Sequence, residues 1–101
     1  PEKFAAALEK AIAQHARFGL TTVQDGASAA AMVAGLRAVA AKRPLALDVA
    51  AYLVEQTRET ATPIASLGYS RTYQAGVRVA GVKFVLDGSP QGRTAWVTRP
   101  Y

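Results

Sequence analysis

Apolar residues recur along the opening of the chain at Phe4, Leu8, Ile12 and Phe18, spaced so that they form one stripe on a helix over Glu2–Phe18. His15 lies on or beside that stripe, and its simplest reading is a partly buried helix residue rather than a ligand. Gly19 follows as a left-handed stop. Leu20-Thr21-Thr22-Val23-Gln24 is β-branched and reads as a strand closed by the turn pair Asp25-Gly26. Ser28 is placed to cap the next helix, Ala29–Lys42, with Met32, Val33, Leu36 and Val39 inward and Pro44 ending it. Leu45–Val54 is a second strand, and Glu55–Thr62 reads as a polar loop. Thr62-Pro63 opens a short or irregular helix with Ile64, Leu67 and Tyr73 inward. Val77-Arg78-Val79 reads as a small extended piece before a third strand, Val82–Leu86, closed by Asp87-Gly88. The tail Ala95–Thr98 is extended by propensity.

Strands that alternate with helices imply parallel pairing through crossovers. The expected class is α/β: three parallel strands in the order one, two, three, with helices over one face. Three strands close nothing, so the two architectures open at this point are a free three-stranded sheet and a segment of a (β/α)8 barrel. An open sheet face carrying Val23, Val49 and Val85, or their strand neighbours, would make the piece self-associate.

Composition narrows the function classes. The chain has 101 residues, half of them hydrophobic, no cysteine, one histidine and a net charge of +5. Disulfides and thiolate chemistry are excluded. The basic residues are scattered and do not interleave with stacking aromatics, which argues against nucleic acid as a partner. No apolar run is long enough to span a bilayer and no secretory signal pattern opens residues 1–101, so no membrane partner and a cytoplasmic location are expected.

Chemistry concentrates at strand ends. In α/β sheets the C-terminal ends of parallel strands build the active site. By that rule Gln24 and Asp25 after the first strand, and Asp87 and Ser89 after the third, are rim candidates. Lys83 is the anomaly, because lysine is almost never buried without a partner. It either snorkels out of an edge strand or points into a functional cavity. Gly88-Ser-Pro-Gln-Gly92-Arg93 falls short of a phosphate loop: three residues rather than four separate its glycines, arginine follows in place of lysine, and Pro90 removes a backbone donor. A serine triad and a complete zinc site are both out of reach with one histidine and no cysteine.

Two stretches carry a resemblance. Phe18-Gly-Leu-Thr-Thr-Val-Gln-Asp-Gly-Ala27 and Gly81-Val-Lys-Phe-Val-Leu-Asp-Gly-Ser-Pro-Gln-Gly-Arg-Thr-Ala95, with the closing Trp96-Val-Thr-Arg-Pro-Tyr101, resemble the amidohydrolase superfamily. The nearest branch is amidohydrolase family 3, which includes N-substituted formamide deformylase-like proteins. The resemblance implies a metal-dependent hydrolase of non-peptide C–N bonds on a (β/α)8 TIM barrel. Residues 1–101 would be a partial catalytic domain, running from the helix before the second barrel strand to just past the fourth. It implies a small amide-type substrate and a divalent metal, zinc above all, in the intact parent. Lys83 falls where the family often has a carboxylated lysine bridging two metal ions. The family's His-x-His pair, its two later histidines and its aspartate have no counterpart here, and His15 matches none of them. The isolated piece is therefore expected to hold no metal, to be inactive and to form a homo-oligomer. The alternative is a freestanding α/β binding or interaction module without catalysis.

Overall fold

A computed structural model describes residues 2–55 and 68–101 of the chain. Two helices and three strands follow one another as α1 (Glu2–Ala16), β1 (Thr22–Ser28), α2 (Ala30–Lys42), β2 (Asp48–Glu55) and β3 (Val77–Phe84). The strands make one sheet in the order β1-β2-β3, and both pairings are parallel. The strand order and direction agree with the sequence pattern. Of the loop expected over Glu55–Thr62, Glu55 instead ends β2, because it pairs with Phe84; the rest of that loop and the start of the helix expected from Thr62-Pro63, with Ile64 and Leu67, lie outside the described residues. Residues 68–76 contain no helix, so Tyr73 is not a helical core residue; it is half-buried beneath the Arg78 guanidinium, 4.9 Å from its ring centroid.

Both described helices cover the same face of the sheet. Ile12 of α1 and Leu36 and Ala40 of α2 pack with Leu47, Val49 and Val77, and a second cluster joins Val33 to Ala51, Leu53 and Val79. Directly paired residues of a parallel sheet share a face, so register assigns the two sides. Val23, Val49 and Val77 form one row under the helices, and Asp25, Ala51 and Val79 form the next. Gln24, Ala50 and Arg78 form a row on the opposite, open face. Val23 and Val49 are therefore helix-covered, and it is the strand neighbours Gln24, Ala50, Tyr52 and Val54 that lie on the opposite side, Gln24 exposed, Tyr52 and Val54 half-buried and Ala50 buried.

Several boundaries differ from the pattern. α1 stops at Ala16, Gly19 adopts φ +80°, and Phe18 is exposed with the Arg17 guanidinium over its ring. α2 ends as expected at Lys42, where the Arg43 N–H donates to the Val39 carbonyl. Its inward face is rotated: Ala40 is buried, whereas Met32 is 45% exposed. Ala40 joins Val33 and Leu36 on the buried side of the helix. Gly35 serves the other contact of α2. A Cβ there would stand 2.9 Å from the Phe4 ring, so the glycine lets α1 and α2 approach.

Ser28 is not the cap of α2. The N-cap is Ala29, with no side-chain hydrogen bond, and Ser28 ends β1 instead. β1 itself runs through Asp25-Gly26, which was expected to turn; a register shift between Asp25 and Ser28 accommodates the pair inside the strand. β2 begins at Asp48 rather than Leu45. β3 begins at Val77, so Val77-Arg78-Val79 is its first half, and it ends at Phe84, leaving Val85 and Leu86 exposed beyond it.

Candidate functional site

The open face is built from the side chains that alternation turns away from the helices. A second register shift lies on β3: Ala51 pairs with Val79 but Tyr52 pairs with Gly81, so Ala80 is an extra residue in the ladder. Beyond it, Leu53 pairs with Val82 on the helix side, and Val54 pairs with Lys83 on the open side. Lys83 is thus the next-to-last residue of β3, exposed, at the C-terminal end of a parallel strand. One row below it, the Tyr52 ring lies across Gly81, where a Cβ would stand 2.9 Å from Cε1. Two rows below, Arg78 is half-buried, its Nε enclosed without a hydrogen-bond partner among the described residues. The face therefore grades from the Arg78–Tyr73 stack at the strand start to a single flexible amine at the strand end.

Of the rim candidates, the two on β1 lie away from that amine. Gln24 shares the open face but sits in the Arg78 row, four residues down β2 from the row of Lys83, which is about 13 Å at roughly 3.3 Å per residue. Asp25 is in a helix-side row and is already engaged. Its carboxylate accepts the Ser28 hydroxyl at 2.6 Å and the Ala27 N–H at 3.3 Å. His15 is exposed on α1, and its Nδ1–H donates to the Ala11 carbonyl at 2.7 Å. A groove of about 290 Å³ between α1, β1 and α2 is lined by Leu8, Ile12, Val23 and Leu36, with His15 and Asp25. Gln24 also lines it, and Lys83 does not.

Asp87 and Ser89 follow β3 in a loop that is bonded to itself. The Asp87 carboxylate accepts the Trp96 N–H at 2.9 Å. The Ser89 N–H donates to Thr94 Oγ1 at 3.0 Å, the Ser89 carbonyl accepts the Thr94 and Ala95 N–H groups, and the Ser89 hydroxyl accepts the Gly92 N–H at 3.1 Å. Gly88 is obligatory here, since a Cβ would run into the Thr94 backbone and hydroxyl. What looked like a near-miss phosphate loop spends its donors on its own closure. Tyr52, Gly81, Ala80 and Arg78 were not singled out by their chemistry. Their trace in the sequence is a broken alternation: Val77 and Val79 are two apart, Val79 and Val82 three.

In open α/β sheets ligands bind beyond the C-terminal ends of the strands, and that is the end of β3 at which Lys83 lies and the 87–96 loop begins. The profile described as the amidohydrolase family matches residues 1–101, and the chain belongs to that family. Its family is one of hydrolases. Neither the curated proteins nor the solved structures contain a match to it. No helix of the described residues is long and apolar enough to cross a membrane.

Proposed function

We propose that residues 1–101 are a strand-and-helix segment of a (β/α)8 barrel in a metal-dependent amidohydrolase that cleaves amide- or formamide-type C–N bonds. The carrying observation is the placement of Lys83: at the C-terminal end of the third of three parallel strands, on the face the helices leave open. In a closed barrel that face is the interior and that end is the active-site mouth. Lys83 would serve as a carbamate. Its neutral amine attacks carbon dioxide and loses a proton, turning a cation into an anionic oxygen ligand suited to a divalent ion such as zinc.

The described residues do not assemble a metal site among themselves, since no three His, Cys, Asp or Glu side chains come together. Lys83 is then one ligand of a set completed elsewhere in the protein, and the reaction steps belong to that complete site. In this reading residues 1–101 alone hold no metal and do not turn over substrate.

The test uses the full-length hydrolase that carries this segment. Labelled bicarbonate should give a carbamate carbon signal that Lys83→Ala removes, and Lys83→Ala should abolish metal-dependent hydrolysis, with partial return on adding a short carboxylic acid. Undiminished turnover in Lys83→Ala would refute the role. Amide hydrolysis by residues 1–101 alone would refute the segment reading.

A further inference from the structure

Lys83 reaches its side of the sheet through a break in the alternation of β3. Val77 and Val79 lie under the helices, 0% and 2% exposed. Strict alternation from there would carry Gly81 and Lys83 to the same side. A flexible cation would then be pressed toward the apolar layer of Val33 and Leu53. The extra residue Ala80 prevents this, because the ladder absorbs it and Val82, not Gly81, follows Val79 onto the helix side. A second observation agrees with the register. A Cβ built on Gly81 points into the Tyr52 ring, 2.9 Å from Cε1 and 3.1 Å from Cδ1. The ring thus occupies the space a side chain at position 81 would fill. That space lies directly below Lys83 on the same strand and face, two residues or about 7 Å away.

We infer that Tyr52 is a positioning residue for Lys83: its ring is a floor, admitted by Gly81, that keeps the lysine stem from lying back along β3 and leaves the amine only the direction of the strand end. A four-carbon stem has many rotamers, and the useful ones are those that reach outward. Blocking the inward ones raises the share of time the amine spends at the mouth without touching the amine itself. The phenol hydroxyl has no part in this, so phenylalanine serves as well as tyrosine. The value of the device rests on the reading of Lys83 as a site group, but the aiming is a property of residues 52, 81 and 83 alone.

The experiment therefore reads the 101-residue chain without metal or substrate. Lysine carbons are labelled, and Lys83 is assigned by the signals that Lys83→Arg removes. The methylenes of Lys83 are expected to show ring-current displacement and cross peaks to the Tyr52 ring and the Val54 methyls, and none to Val33 or Leu36. Tyr52→Phe should keep the displacement; Tyr52→Ala should abolish it and average the methylene signals toward those of a free lysine. Two cysteine pairs keep the test decisive if Tyr52→Ala fails to fold. V54C with K83C should oxidise to an intramolecular disulfide, and V54C with V82C should not. Cross peaks from Lys83 to Val33 or Leu36, a displacement unchanged by Tyr52→Ala, or crosslinking of the 54–82 pair alone would overturn the inference. Absence of a carbamate on Lys83 would overturn the proposed function and leave this result standing.

Discussion

The Ser28 hydroxyl donates to the Asp25 carboxylate at 2.6 Å, and Ser28 is fully buried. The two are three residues apart in β1, across the register shift near the end of the strand. The bond is lopsided, because Asp25 is half-buried and can take water in place of its partner, whereas Ser28 cannot. Asp25→Ala leaves a buried hydroxyl unpaired and is expected to cost about 1–3 kcal/mol. Ser28→Ala should cost less, and the double substitution should recover part of the loss seen with Asp25→Ala. Urea denaturation of the three variants measures the order.

The rotation of α2 gives a second contrast. Leu36 is 4% exposed against Val49 and Val77, and Met32 is nearly half exposed. Leu36→Ala should destabilise by about 2–5 kcal/mol, and Met32→Ala by about 0.5 kcal/mol or less. Equal losses would mean that Met32, not Ala40, faces the sheet.

The 87–96 loop is held by its own side chains, so its integrity should be separable from that of the sheet. Asp87→Ala removes the acceptor of the Trp96 N–H, and Gly88→Ala collides with Thr94. Both are expected to speed hydrogen exchange at the Trp96 amide by about tenfold or more, the equivalent of roughly 1.4 kcal/mol. The amides of Ala51 and Leu53 in the central strand should keep their rates. Loss of protection in β2 would show that the loop and sheet open together.

The open face also predicts association. Tyr52 and Val54 face it, Phe84 is exposed at the end of β3, and Val85, Leu86 and Trp96 are exposed beyond it, Leu86 and Trp96 by more than 90%. A few hundred Å² of such surface is worth several kcal/mol at about 25 cal/mol per Å². Residues 1–101 are therefore expected to sediment as a dimer or larger species at micromolar concentration, and Leu86→Asp with Trp96→Asp to shift the distribution toward monomer. A wild-type chain that sediments as a monomer would count against an uncovered apolar face.

The parts of this fold that the sequence discloses are those carried by period and punctuation. The stripe Phe4–Leu8–Ile12, the stop at Gly19 and the break at Pro44 act within one or two turns of chain, and their effects appear where they are written. Strand–helix alternation likewise carried the parallel order. What stayed hidden depends on partners distant in sequence. Asp25-Gly26 has the composition of a turn, yet pairing with β2 draws it into the strand, as tertiary pairing overrides local propensity. Val85 and Leu86 look like strand core, but the ladder runs out at Glu55–Phe84 and leaves them uncovered. Lys83 stood out by charge alone. Its face could not be read without the position of Ala80 in the ladder, because one extra residue reverses every side after it.

Every strand pairing in the sheet uses β2. Neither of its neighbours can join it locally: β1 is separated from it by the whole of α2, and β3 by the stretch that follows Glu55. Two distant closures must be completed before Val49, Ala51 and Leu53 are covered, whereas α1, α2 and the 87–96 loop form from contacts within a few residues. On the ribosome, β2 emerges well ahead of the strand that covers its second edge. Its apolar residues wait, edge open, for the length of chain between Glu55 and Val77 to be made. That interval is when a nascent chain of this design is most exposed to mispairing and most in need of a chaperone.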